Sequence, residues 1–319
     1  MSKKSYKHAT LFSLLIAGLF MQLSVVTAHA GPTYAPEKIA AVMVGDRVVD
    51  IALGLGVIPQ AMVIRGSQWE KGAQLKLATD ILGCPLYATK KKPKAVAAYM
   101  KKYGLKKIIV EKSPQFCLHK KKVNPVNIVG LVADVPGVQV EYVDFSQGVA
   151  SAIKQIALIL DKEQLGIDLV QKYEKGMESI KVANLGKRVL VLKGLNMASG
   201  KYFVQVEAPG GYSDHYILSK LGCENIGAKI FSKKMKVSKG FATKRKFTDL
   251  DQANPDVIVI TGDADAVQRA IAKALKDKPS LAEVPAIKNG AVICLPMYVD
   301  SSVLEYPKIF RQWKNALSM

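Results

Sequence analysis

Histidine and cysteine are weighed first in this 319-residue chain, because metal and nucleophilic chemistry draw on them. Of its four histidines, His8 and His29 fall in an N-terminal stretch with the character of a targeting segment. Only His119 and His215 remain, too few for a three-histidine zinc or manganese site. Cys117 and His119 stand two apart, where a thiol and its base could meet, but their loop is lysine-rich and offers no orienting partner, so no catalytic residue is assigned. Cys84, Cys117, Cys223 and Cys294 lack zinc-ligand spacing and are read as free thiols. Gly54-Leu55-Gly56 imitates a dinucleotide fingerprint, yet it closes a helix instead of opening one after a strand. The chain contains no P-loop, no Gly-x-Ser-x-Gly elbow and no His-Glu-x-x-His. No metal and no cofactor is expected.

The elements around these residues follow from composition and pattern. At 49% hydrophobic and 23% charged, the chain can fill one large or two medium cores. Residues 1–30 combine Lys3, Lys4 and Lys7, an apolar run from Leu11 to Val26 and Ala28-His29-Ala30, which reads as a secretory signal peptide cleaved after Ala30 and implies a periplasmic product. Beyond it, short valine- and isoleucine-rich runs alternate with amphipathic stretches, the pattern of β-α-β units with parallel strands. Strands are predicted at Lys38–Val44, Gln60–Ile64, Leu86–Thr89, Lys107–Val110 and Val138–Val143, with helices at Arg47–Leu55, Gly72–Leu82, Pro93–Tyr103 and Asn127–Val132. A second series has strands at Arg188–Leu192, Tyr202–Val206, Val257–Thr261 and Ala291–Leu295, and helices at Ser213–Leu221, Phe247–Ala253, Ala264–Ala274 and from Tyr306.

Between the two series lies a helical stretch. Val149, Ile153, Ile156 and Leu160 form one apolar face, and a second helix over 162–183 carries Leu169, Val170, Tyr173, Met177 and Ile180 at helical spacing. Asp161 with Gln164 resembles a capping box for that second helix. The expected division is a signal peptide (1–30), an N-terminal α/β lobe (31–146), linker helices (147–183) and a C-terminal α/β lobe (184–319). Lys plus Arg number 46 against 26 Asp plus Glu, a formal charge of +20, with both lobes basic and the linker neutral. The lysine runs at Lys90–Lys92 with Lys94, at Lys120–Lys122, and from Lys233 to Lys246 read as solvated loops.

Several segments in order resemble the helical-backbone (class III) periplasmic binding proteins of ABC importers. They are Val42-x-Val44-Gly45-Asp46 leading to Asp50, Leu53, Gly56 and Pro59; Gly210-Gly211-Tyr212-Ser213 through Leu221-Gly222 to Asn225; Asn254-Pro255-Asp256-Val257; and Ala286-Ile287-Lys288-Asn289-Gly290-Ala291-Val292. The resemblance implies two doubly wound α/β lobes joined by a long rigid helix, with a ligand cleft between them. It implies a solute-binding component that captures an iron chelate such as a ferric siderophore, a haem or a corrinoid, or else an oxyanion, and hands it to a permease in the inner membrane. Such a protein works as a monomer, without nucleic acid and without catalysis.

Loops at the carboxyl ends of the strands would face that cleft. They carry Arg47, Arg65, Trp69, Lys112 and Phe116 from the first lobe, and Lys193, Tyr212 and Tyr298 from the second. Arg65 offers a fork of donors to an anion, and the aromatics offer flat apolar surface. Tyr212, Tyr298 and His119 are the candidate axial ligands should the cargo be haem. Asp249 is the candidate docking acid for the permease on the second lobe, while the equivalent first-lobe helix begins Pro93-Lys94 and lacks one. The competing class is an exported tetrapyrrole metal chelatase, which would hold its metal through histidine and carboxylate.

Overall fold

The computed structural model describes residues 35–178, 180 and 184–319. The stretch expected to be a signal peptide and the last residues expected of the linker helix lie outside that set. β1 (Glu37–Val44), β2 (Val57–Val63), β3 (Asp80–Ile81), β4 (Lys107–Lys112) and β5 (Gln139–Asp144) make a fully parallel sheet in the order β3-β2-β1-β4-β5. Its strands are valine- and isoleucine-rich because both faces are covered. Met43, Met62 and Ile109 pack with α1 (Asp46–Gly54) on one face, and Val42, Val63 and Val110 pack with α4 (Ala95–Tyr103) on the other. Each such side chain contributes roughly 1.5–3 kcal/mol when fully buried.

Two expectations fail between β2 and β4. The helix expected over 72–82 is only α2 (Glu70–Leu75), and the short β3 lies within the remainder. The strand expected at Leu86–Thr89 is a helix, α3 (Pro85–Lys90): Pro85 opens its first turn and the Cys84 sulfur accepts from the Tyr87 N–H at 3.4 Å. A four-residue apolar run cannot separate strand from helix by period alone. The helix expected at Asn127–Val132 is a 3₁₀ segment over Pro125–Leu131.

α5 (Val149–Ile159) and α6 (Glu163–Glu178) are the linker pair. The expected capping box is absent. Asp161 adopts a left-handed φ of 54° and Lys162 N–H reaches back to Ala157 O at 2.8 Å, so Asp161 closes α5, while the Gln164 side chain donates to Asp168. α6 runs about 24 Å at 1.5 Å per residue. Val170 is buried in the core of the first sheet, and Met177 packs on the core of the second.

The second sheet has the order β11-β10-β6-β7-β9, from β6 (Arg188–Asn196), β7 (Tyr202–Glu207), β8 (Glu224–Asn225), β9 (Phe241–Lys244), β10 (Val257–Gly262) and β11 (Val292–Cys294), with β8 pairing the start of β6. It is mixed, not all parallel: β7 pairs antiparallel with β6 and β9. The loop between β6 and β7 is too short for a parallel crossover. Around the sheet lie α7 (Leu250–Ala253), α8 (Ala264–Asp277), α9 (Pro285–Lys288) and α10 (Tyr306–Leu317). The helix expected at Ser213–Leu221 is one π turn followed by one 3₁₀ turn, and α7 is only the end of the helix expected from Phe247. Leu190, Leu192, Ile258 and Ile260 face α8, while Val189, Val191, Val257 and Val259 face Ile309, Phe310 and Trp313 of α10. Among the described residues no helix is long and apolar enough to cross a membrane.

Candidate functional site

After β11 the chain does not go straight into α10. Residues Val299 to Glu305 first lie against the first lobe, where Val299 and Val303 join the core of the first sheet. This contact creates a polar seam. Asp46, at the start of α1, accepts from the Arg65 backbone N–H (2.8 Å), from Arg65 Nε (2.6 Å) and from the Ser301 hydroxyl (2.5 Å). The Arg65 guanidinium also donates to Ser301 Oγ (3.0 Å) and the Tyr212 hydroxyl (3.3 Å), and pairs with Asp300 at 2.9 Å. Beside it Trp69 Nε1 donates to Ser302 Oγ at 2.9 Å, Lys71 pairs with Asp50 and Glu305, and the Leu304 N–H donates to Asp50 at 3.1 Å. Arg47 grips Glu111 with Nε at 2.8 Å. Glu111 occupies the space that a side chain on Gly45 would need, and Gly45 turns there with φ 116°. Burial pushes the carboxyls of Asp50, Glu111 and Asp300 up, against the downward pull of Lys71, Arg47 and Arg65 respectively. His119 completes the seam. Its ring meets Tyr212 edge-on at 5.1 Å, its buried Nε2 has no hydrogen-bond partner among the described residues, and burial lowers its pKa.

Next to the seam the lobes part into a cleft at the carboxyl ends of β6, β10 and β11. Its larger part, about 810 Å³, lies between Gln68, Glu70 and Gln74 of the first lobe and Asn196, Asp263 and Pro296 of the second. Its smaller part, about 340 Å³, is walled by Ser67, Gln205, Ser238, Lys239 and Phe241. Gln68, Lys193, Leu195, Met297 and Val299 line both. Two glycines let the strand ends come this close. A Cβ on Gly194 would fall 1.7 Å from the Asp263 carbonyl oxygen, and one on Gly262 would fall 2.6 Å from the Gly194 carbonyl oxygen.

The residues singled out from sequence therefore divide. Lys193 and, at the edge, Trp69 and Tyr212 touch the cleft. Arg65 does not offer its fork to solvent: its side chain is 4% exposed and its donors are spent on Asp46, Asp300, Ser301 and Tyr212. Phe116 is buried under the Arg65 guanidinium, 4.4 Å from ring centroid to charge, and Arg47 is folded onto Glu111 and the Phe145 ring. Tyr298 sits in the core of the second sheet against Tyr216 and Tyr306. Lys112 lies elsewhere, paired with Asp144 beside a first-lobe groove of about 620 Å³. Asp249 is held by Lys244 at 2.7 Å. The four cysteines are free thiols. Among the described residues no three His, Cys, Asp or Glu side chains are grouped to hold a metal ion.

Sequence reading missed Asp46, Asp300, Ser301 and Ser302 as seam residues, and Gln205 and Lys239 as cleft residues. Asp300-Ser301-Ser302 was legible as a polar run between Tyr298-Val299 and the helix from Tyr306. Lys239 was hidden in a lysine run.

One further buried carboxyl stands behind Tyr212. Glu207 ends β7, and its Oε1 accepts from the N–H groups of Ser213 (2.7 Å) and Asp214 (3.1 Å), capping the irregular helix that Tyr212 precedes. Its Oε2 has no hydrogen-bond partner among the described residues, and burial raises the pKa to about 7.

Two sheets, a connecting helix shared between their cores and a cleft at the strand ends define a class III periplasmic binding protein. The family model described as periplasmic binding protein matches residues 123–299, more than half of the chain, and the chain belongs to that family. No curated protein matches it in sequence. Among solved structures it is similar to the siderophore periplasmic binding protein from the fuscachelin gene cluster of Thermobifida fusca, with 14% identity, a TM-score of 0.52 and coverage of 89% of this chain and 97% of that one. It is also similar to the periplasmic heme-binding protein BhuT in complex with two hemes, with 16% identity, a TM-score of 0.51 and coverage of 88% and 98%. At these identities the likeness is one of fold.

Proposed function

We propose that this protein is the solute-binding component of an ABC importer and that it carries an iron chelate, a haem or a corrinoid-type ligand to a permease. The cleft of about 810 Å³ is the observation that carries the reading, because it is large enough for such a cargo and opens where α/β sheets hold ligands. The proposed architecture is a signal peptide cleaved after Ala30, a lobe over 31–146, linker helices over 147–183 and a lobe over 184–319, in a monomeric periplasmic protein.

Protein purified from its native compartment tests this by native mass spectrometry and an absorption spectrum. A stoichiometric chromophore or chelate supports the carrier, and turnover of tetrapyrrole with added metal would replace it with a chelatase. Asp249 is the proposed permease contact. Asp249→Asn is expected to change stability by no more than about 1 kcal/mol, to leave ligand affinity unchanged and to lower uptake in a transport assay. Unchanged uptake removes Asp249 from docking.

A further inference from the structure

One cation of the cleft is held differently from those of the seam. Lys193, at the end of β6, is half-buried in the wall of the cleft's smaller part, with its ammonium 5.4 Å from the centroid of the Phe241 ring. Every seam cation named above has a carboxylate partner, whereas among the described residues Lys193 makes no salt bridge and no hydrogen bond from its ammonium. Burial lowers its pKa, against the upward pull of Glu70 and Glu207, neither of which forms a salt bridge with it, and Lys239 adds to the fall. Lys239 stands at the same chamber with a φ of 53°, a conformation that a lysine adopts only at a cost. The other two non-glycine residues in that region are Asp161 and Asn254, types that tolerate it and that close helices.

The rim above the chamber is basic on both lobes. On the second lobe Lys229 and Lys244 pair with Glu224 and Asp249, whereas Lys233, Lys234, Lys236 and Lys239 make no salt bridge among the described residues, and neither do Lys120, Lys121 and Lys122 on the first lobe. His119 joins the two stretches, for its Nε2 lies where a Cβ on Gly240 would be only 2.7 Å away. Lys120–Lys122 and Lys239 thereby flank one opening, and all four are exposed. The larger part of the cleft differs, with Glu70, Asp263 and Glu305 on its walls.

We propose that the smaller chamber receives a carboxylate or other oxyanion group of the cargo on Lys193 and Lys239, and that the exposed lysines Lys120, Lys121 and Lys122 beside it draw the anion in. This rests on the solute-binding reading and names the chemistry of its site. An unpaired, partly desolvated ammonium gains a charge-assisted contact when an anion arrives. A cleft rim of one sign raises the association rate in a salt-dependent way.

The test titrates the wild-type chain, Lys193→Gln and Lys193→Arg with haemin, ferric citrate, a neutral ferric trihydroxamate and inorganic phosphate, reading Trp69 fluorescence. Thermal melts confirm that the variants fold. Lys193→Gln is expected to weaken the two carboxylate-bearing chelates by about tenfold to a hundredfold, to leave the neutral chelate within about twofold, and to be largely rescued by Lys193→Arg. Stopped-flow association of the anionic chelates should slow steeply with salt, and less steeply when Lys120, Lys121 and Lys122 are all glutamine. Haemin and ferric citrate affinities unmoved by Lys193→Gln, or binding of the neutral chelate alone, would overturn the anion chamber while leaving the carrier intact. Lys193-dependent binding of phosphate alone would keep the chamber and overturn the chelate cargo. Binding of none of the four would remove the carrier reading, and this inference with it.

Discussion

The seam and the smaller chamber lie side by side between the same two lobes, and they treat cations in opposite ways. In the seam Arg65, Arg47 and Lys71 are each matched to carboxylates inside the protein, and the lobes are held together there. In the chamber Lys193 has the same sign and is partly desolvated, but it rests on the Phe241 ring and among the described residues forms no salt bridge. A satisfied buried cation holds a structure, whereas an unsatisfied one at an opening is available to something that arrives. The difference is why Arg65, the more conspicuous residue in the sequence, makes the poorer ligand contact.

The strongest way to break this contrast is to exchange the expected phenotypes. Arg65→Ala leaves Asp46 and Asp300 buried without their cation and is expected to cost about 3–5 kcal/mol in urea unfolding. Lys193→Gln in the same measurement should lie within about 0.5 kcal/mol. An Arg65→Ala protein of normal stability that has lost anion affinity would reverse the two roles.

Glu207 sharpens the comparison from behind Tyr212. Its carboxyl moves from an ordinary 4.5 to about 7 on folding, so between those pH values the folded chain keeps a proton that the unfolded chain has released. Its contribution to stability therefore falls as pH rises through that window, by about 3 kcal/mol once both states are ionised. Glu207→Gln keeps an oxygen for the Ser213 and Asp214 N–H groups without the charge. The variant should match wild type near pH 4.5 and exceed it at pH 8 in denaturant melts. An unchanged difference across that range would mean that Glu207 is ionised throughout.

Smaller effects test single contacts. Ser302→Ala strands the buried Trp69 N–H and should cost about 1–3 kcal/mol, with a change in Trp69 fluorescence. Lys239→Gly relieves the left-handed backbone and should stabilise the chain by about 1 kcal/mol, while slowing association of anionic chelates. A gain in stability without slower association would separate Lys239 from the rim.

Much of this architecture could be read from residue order. β1, β4, β6 and β10 are runs of valine and isoleucine with both faces covered, and such runs announce themselves. What failed was local ambiguity. Leu86–Thr89 has strand-like apolarity, and only Pro85 with the Cys84 cap makes it helical. β9 was lost because Phe241–Lys244 sits inside a lysine-rich stretch. The cleft loops followed from the rule about strand ends, and Trp69 and Lys193 are there. Arg65 was misjudged for another reason. Its burial depends on Asp300 and Ser301, more than two hundred residues further along, and no local pattern signals a partner at that distance.

That separation has a temporal side. Asp46 and Ser301 are 255 residues apart, and Asp50 meets the Leu304 N–H across 254. A chain made from its N-terminus completes β1 to β5 long before the segment that satisfies Asp46 and Asp50 exists. Until then the first lobe holds two acids at a surface meant to be interior. Its last cooperative step must wait for the C-terminal segment to arrive, and chains truncated before Asp300 should be protease-sensitive in α1 in a way that full-length chains are not.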